Sequence, residues 1–241
     1  MIPLLLVGII GAIGTFAVTA EPTYSQMYDF GKDKSYRLYV DVDHKQFIGT
    51  GFVVEGKSGR KFMMTAGHVC DAAAENKSLL YTDIGRNNTV FLGWASINSH
   101  DICILGHVSS DLPAYEMGSE PEITDKLWAL GFPSAYPLTV MSGNVIGSVD
   151  VTIATDHSLS ECTGIYKKIQ QTFLGIPIGE VCAISGKEIA VTMSVAPGAS
   201  GSPVVNRYGK LVGIVSAENN AAANWLLMVP QESLEKVVNK L

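Results

Sequence analysis

Beyond residue 20 the chain is a succession of short apolar runs in which hydrophobic and polar positions alternate, or in which hydrophobic residues follow one another without a break. Tyr36 to Val42 and Phe47 to Val54 alternate, the second around Gly49 and Gly51. Phe62 to Ala66, Ser78 to Thr82, Thr89 to Ala95, Leu127 to Leu130, Thr139 to Ile153, Glu188 to Val195, Ser202 to Val205, Lys210 to Ser216 and Ala223 to Met228 continue the series. Ile102 to Leu105 is brief and wholly apolar, as suits a strand buried on both faces. Many short strands with Gly, Pro, Asn and Asp between them predict an all-β sandwich or barrel. Helical periodicity is scarce. Pro230-Gln231-Glu232-Ser233 opens a C-terminal helix with Leu234, Val237, Val238 and Leu241 on one face, and a short helix is expected through Asp71 to Glu75. If the chain forms two lobes, the join falls between Ser109 and Thr124.

The first twenty residues differ from the rest. Ile2 to Ala20 carry no charged side chain, the stretch ends Val18-Thr19-Ala20, and polar Glu21-Pro22-Thr23 follows. This is the pattern of a signal peptide or of a membrane anchor; a packed N-terminal helix would be apolar on every face. Either of the first two readings puts residues 21–241 outside the cytosol, as a secreted, periplasmic or extracellular domain or one held at a membrane by residues 1–20. With 47% hydrophobic and 17% charged residues, the 241-residue chain has an ordinary globular composition. Its net charge of −6 and the lack of a basic run, beyond Arg60-Lys61 and Lys167-Lys168 in what read as solvated turns, argue against nucleic-acid binding.

Four cysteines fit an oxidising compartment. Cys162 and Cys182 flank a loop or hairpin and are expected to pair. Cys70 and Cys103 read as small buried residues, with a bridge between them as the alternative should their surroundings meet. No Cys-x-x-Cys or His-x-x-x-His spacing exists, so no metal site is expected.

Three segments carry chemistry. Ala196-Pro197-Gly198-Ala199-Ser200-Gly201-Ser202-Pro203 is a rigid turn that exposes one hydroxyl. The backbone N–H groups of Gly198 and Ser200 are the candidates to stabilise an oxyanion beside it. Met64-Thr65-Ala66-Gly67-His68-Val69-Cys70 ends an apolar run in small residues and a histidine, the side chain whose ordinary pKa suits a base for a serine hydroxyl. His100-Asp101-Ile102-Cys103-Ile104-Leu105 puts an acid at a strand entrance, where it can hold the Nδ1–H of that base. All five histidines precede Ser200, so a Ser…Asp…His order is impossible with this nucleophile; His68…Asp101…Ser200 on an all-β frame remains.

Together the three segments resemble the trypsin/chymotrypsin-like serine protease superfamily, with its Thr-Ala-x-His, Asp-Ile-x-x-Leu and Gly-x-Ser-Gly-x-Pro hallmarks. Gly209-Lys210-Leu211-Val212-Gly213-Ile214 and Met228-Val229-Pro230 are similar to HtrA-type and viral or bacterial trypsin-like members. HtrA proteins usually carry a PDZ domain after the protease; the sequence reaches only Leu241, so none is expected. The resemblance implies two packed six-stranded β-barrels across residues 21–241. Ser216, Ala217 and Glu218 would form the edge against which a peptide or protein substrate lies, and Ser194 the base of the specificity pocket. An uncharged Ser194 argues against strict basic specificity, and Glu218 stands where many members have Gly. No metal or organic cofactor is implied. The readings left beside a serine endopeptidase are a binding module on the same fold and a serine esterase or protease acting once in cis.

Overall fold

The computed structural model describes residues 20–40, 46–75, 80–84, 88–92, 95–97, 101–154, 162, 166–173, 176–218 and 224–241. Strands β1 (Ser35–Val40), β2 (Gln46–Glu55), β3 (Lys61–Ala66), β4 (Leu80–Ile84), β5 (Asn88–Leu92), β6 (Ala95–Ile97) and β7 (Ile102–His107) form one antiparallel sheet, in the order β5-β4-β1-β2-β3-β7-β6. The second sheet contains β8 (Lys126–Gly131), β9 (Thr139–Ala154), β10 (Tyr166–Phe173), β11 (Ile176–Val191), β12 (Pro203–Val205), β13 (Leu211–Glu218) and β14 (Leu226–Pro230). Because β9 pairs with both β8 and β11, six of these strands close into a ring, and β10 extends it as a hairpin partner of β11. The all-β architecture is thus two β lobes, the second a closed six-stranded barrel and the first a seven-stranded sheet with no closing pair among the described residues.

Alternation explains why so many strands look continuously apolar. On β8, Leu127 and Ala129 join the core inside the barrel, while Trp128 and Leu130 join a second core that runs between the lobes. On β12, Val204 and Val205 divide in the same way, as do Val212 and Leu211 on β13. A strand buried on both faces needs an apolar residue at every position. The stretch 108–125 between the sheets stitches them further: the Tyr115 N–H donates to Val53 O at 2.8 Å, and the Leu211 N–H to Glu116 O at 2.8 Å.

The C-terminal helix α3 (Gln231–Val238) buries Leu234, Val237 and Val238, as its pattern requires. A helix over Tyr24–Gly31, α1, was not expected. Its signal is a capping box, in which Thr23 accepts from the Gln26 N–H and the Gln26 side chain accepts from the Thr23 N–H. Strand β10 also lacks a sequence counterpart, and Lys167-Lys168 lie within it rather than in a turn. Its two Lys, two Gln and Thr leave too few apolar positions for an alternating pattern. At the other end, β11 stops at Val191, so residues 192–195 of the expected Glu188 to Val195 run lie beyond it. Among the described residues no helix is long and apolar enough to cross a membrane; the apolar stretch 1–19 lies outside them.

The helix after the third strand, α2 (Gly67–Glu75), starts earlier than the sequence suggests and includes His68. Its Cys70 is bonded to Cys103 on β7, with Cα atoms 6.4 Å apart. That overturns the reading of these two as small unbridged residues: β6 and β3 flank β7, and α2 packs on it closely enough for the side chains to meet. Cys162 is disulfide-bonded as well; the side chain of Cys182, its expected partner, lies outside the described residues. Replacing both Cys70 and Cys103 by Ser should lower the unfolding free energy by about 3 kcal/mol, measured from urea titrations under non-reducing conditions.

Candidate active site

The site gathers on the facing edges of the two lobes. His68 sits in the first turn of α2, where backbone N–H groups lack intrahelical partners. Its own N–H donates to Asp101 Oδ1 at 2.8 Å, and its ring Nδ1 lies 3.1 Å from Oδ1 and 3.0 Å from Oδ2. One carboxylate therefore fixes both the backbone and the ring of His68, and the ring must carry its proton on Nδ1. Asp101 is buried and takes a left-handed backbone conformation, with φ 52°, just before β7. Asp tolerates that region better than most residues, though at some cost. Gly67 permits the approach, since a Cβ there would lie 3.0 Å from Asp101 Oδ1 and 3.1 Å from its Cα.

His68 is 45% exposed on its side chain while Asp101 is 5% exposed, so the base faces the surface and the acid the interior. Burial acts to lower the His68 pKa. The charge and hydrogen bond of Asp101, with smaller contributions from Asp71 and Glu188, outweigh it and hold the pKa above the usual histidine value.

The turn containing Ser200 belongs to the second lobe but is anchored on the first. The Thr50 N–H donates to Ser200 O at 2.9 Å, and Thr50 Oγ1 donates to Gly198 O at 2.9 Å. Within the turn, the Ala199 N–H bonds Ala196 O, the Gly201 N–H bonds Val215 O and the Ser202 N–H bonds Ala199 O. The N–H groups of Gly198 and Ser200 donate to no other described residue. Gly198 and Gly201 adopt φ of 93° and 80°. At both, a Cβ would collide with the first lobe, with Phe47 at Gly198 and with Thr65 and Thr50 at Gly201. Gly49 lies between Val69 and the Ser200 carbonyl, since its Cβ would be 3.0 Å from the one and 3.1 Å from the other. The Ser200 carbonyl is thereby set across Gly49 from Val69, the residue after His68 on α2. Ser200 Oγ and the His68 ring share no hydrogen bond in this structure.

Of the remaining expected site residues, Ser216 turns inward. The register of β13 against β14 shifts between Val215 and Ala217, and this bulge leaves Ser216 unpaired in the ladder and buried. Its hydroxyl lies 2.8 Å from Asp101 Oδ2 and 3.0 Å from Glu188 Oε1. Ser216 is thus tied to the His68–Asp101 pair, a position its expected role at the substrate edge did not anticipate. Ala217 and Glu218 pair with Leu227 and Leu226 on β14; their side chains lie outside the described residues. Ser194 is exposed and donates to Asn224 Oδ1 at 2.5 Å. Sequence reasoning missed Glu188, Thr50 and Asn224. The alternation of β11 could have flagged the first, because Ile189 and Val191 face the barrel core and Glu188 must then face the other lobe. Among the described residues no cluster of metal-ligating side chains occurs.

No curated protein sequence matches the chain. Among solved structures, the active form of the Rv3671c protease from M. tuberculosis superposes with a TM-score of 0.64 at 16% identity, covering 98% of this chain and 91% of that one. The HtrA-type protease AlgW with a tripeptide gives 0.61 at 18% identity, covering 90% of this chain and 62% of that one. The serine endoprotease from Yersinia pestis gives 0.61 at 17%, covering 92% and 67%. These likenesses show a common two-lobed fold. The family model of the trypsin-like peptidase domain matches residues 49–214, a span that begins at the glycine beside Ser200 and takes in all three chemical segments. On that match the chain belongs to the trypsin-like peptidase family of serine endopeptidases.

Proposed function

We propose that this serine protease hydrolyses peptide bonds with Ser200 as nucleophile, His68 as general base and Asp101 as the acid that orients it. The observation that carries the reading is the His68–Asp101 pair, bonded through both ring and backbone N–H, set against a rigid Ser200 turn whose Gly198 and Ser200 N–H groups are free among the described residues. Ser200 Oγ attacks the substrate carbonyl carbon as His68 Nε2 takes its proton. Asp101 stabilises the imidazolium, and the two N–H groups receive the oxyanion. His68 then gives the proton to the departing amine, and water repeats the sequence on the acyl-enzyme. The chemistry calls on no metal or organic cofactor.

A peptide or protein substrate would lie along Ser216, Ala217 and Glu218 as an added strand. Two features support this: β12 pairs with β13 only as far as Ile214, whereas β13 continues to Glu218 paired with β14 on one side. Ser194 and Asn224 give the adjoining surface an uncharged polar lining, which favours residues other than Lys or Arg before the scissile bond. The Cys70–Cys103 bridge and the apolar leader both suit an exported domain.

Labelling with a fluorophosphonate probe should mark the native protein, and Ser200→Ala and His68→Ala should abolish the mark. Peptide turnover should fall about ten-thousandfold or more in either variant. Absence of Ser200-dependent labelling in folded protein would sink the reading. A second expectation concerns charge. In a Ser200→Ala background, Asp101→Asn leaves burial unopposed by its main counterweight, so the His68 pKa read by NMR should fall. In the native protein the raised pKa stabilises the fold fully below the ordinary histidine value of about 6.5. That contribution is lost as pH rises through the folded-state value, and a pH series of urea midpoints should show the loss shrinking in Asp101→Asn.

A further inference from the structure

Behind the His68–Asp101 pair lies a second buried carboxyl group that the proposed mechanism does not use. Glu188, on β11, is 6% exposed. Its Oε1 is 3.0 Å from Ser216 Oγ, while Oε2 is buried with no hydrogen-bond partner among the described residues. Ser216 Oγ is at the same time 2.8 Å from Asp101 Oδ2. A hydroxyl has one hydrogen to give. Two carboxyl oxygens within bonding distance of it cannot both be served unless one brings a proton of its own. A buried, charged acceptor left unserved is strongly disfavoured, so the chain Asp101–Ser216–Glu188 needs a second proton.

The surroundings say where that proton resides. Asp101 already accepts from the His68 N–H and ring, and protonating it would weaken those bonds and remove the charge that pairs with the His68 ring. Among the described residues the Glu188 carboxyl has Ser216 alone. As a carboxylic acid it can donate to Ser216 Oγ, and its unpartnered oxygen is then a neutral carbonyl, much cheaper to bury than a charged one. The charged groups facing it from the packed elements are Asp101 at the entrance to β7 and His68 on α2, with Asp71 beyond His68. On the flanking strand β9 the residue opposite it is the apolar Val149, and on β14 Met228 pairs with Ile189 and turns with it into the barrel core, away from Glu188. Burial, together with the charge of Asp101, pushes the Glu188 pKa up to about 7, against the opposing effects of Ser216 and His68.

We propose that Glu188 is a positioning residue that acts on the His68–Asp101 pair through Ser216, by a proton it holds or releases. With its proton, Glu188 donates to Ser216 Oγ and the Ser216 hydrogen is committed to Asp101 Oδ2. Without it, Glu188 competes for that same hydrogen and sets a second negative charge behind the pair. That charge holds the proton on His68, so the base becomes free only at higher pH. The inference rests on the reading of His68, Asp101 and Ser200 as the catalytic triad.

Glu188→Gln keeps the shape and a donor for Ser216 but cannot ionise. In the Ser200→Ala background, the NMR titration of His68 should move to lower pH by about half a unit or more when Glu188→Gln is added. In the active protein, the acid limb of kcat/KM against pH should move the same way. A His68 midpoint unchanged by Glu188→Gln overturns the proposal. An infrared band of a neutral carboxylic acid, present in the native protein at pH 5.5 and missing from Glu188→Gln, is the second expectation; its absence from the native protein overturns the proposal even if Glu188→Gln does not fold. If the native protein shows no Ser200-dependent turnover, the proposed function fails, while the His68 titration and the infrared band still decide the state of Glu188.

Discussion

One buried threonine holds the two lobes in the register that the site requires. Thr50, on β2, donates its hydroxyl to Gly198 O at 2.9 Å and accepts from the Phe132 N–H at 3.1 Å. Its N–H donates to Ser200 O and its carbonyl accepts from Thr65 Oγ1 at 2.7 Å. Four bonds on one fully buried residue join β2 and β3 of the first lobe to the Ser200 turn and the end of β8 in the second. Each contributes about 1 kcal/mol net, but any one left unmade in the interior costs more than that. The serine turn is therefore fixed against the sheet that carries the histidine, and a shift of one residue on either side would orphan several polar groups at once. Gly198 and Gly201 follow from this contact, since their side-chain space is taken by Phe47, Thr50 and Thr65.

The parts of the molecule legible in the sequence are those whose reason is local. The Ser200 turn announces itself through glycines and prolines that only a tight turn needs. Gly67 beside His68 and Asp101 before an apolar run carry comparable signals, and the glycine proves to be where the Asp101 backbone passes. The family match begins at Gly49, and its span of 49–214 runs through these same segments. The β lobes are legible because alternation is a property of single strands. What stays hidden depends on pairing across distance. The inward turn of Ser216 comes from a bulge between β13 and β14, which no reading of β13 by itself contains. Thr50 looks like any threonine in a strand until Gly198 and Phe132 arrive. β10 owes its place to hydrogen bonds with β11 rather than to its own weakly apolar sequence. The Cys70–Cys103 bridge, read from the sequence as two separate residues, needs α2 and β7 side by side before it makes sense.

Part of the backbone strain lies where the chemistry is proposed. Asp101, Ser134 and Ala135 take positive φ without being glycine, and Gly198 and Gly201 do so close by. Each such non-glycine residue costs on the order of 1–3 kcal/mol and survives only where its surroundings leave it no alternative. Those surroundings are identifiable. Asp101 is gripped by His68 from one side and Ser216 from the other, with Cys103 two residues on fastened to α2. Ser134 is held by its N–H donating to Pro197 O at 2.6 Å, which ties the strained pair 134–135 to the serine turn itself. The same bonds that set the donors and acceptors of the site thus keep its backbone from relaxing. In the proposed reaction, a turn free to relax would have to reorganise as charge developed on the substrate oxygen, and fixed dipoles spare it that cost. The two cores supply the force: residues buried on both faces of β8, β12 and β13 resist any movement that would open a gap on either side. Packing therefore sustains a strained set of polar contacts, and those contacts hold the Ser200 turn against the lobe that carries the His68–Asp101 pair, as the proposed chemistry requires.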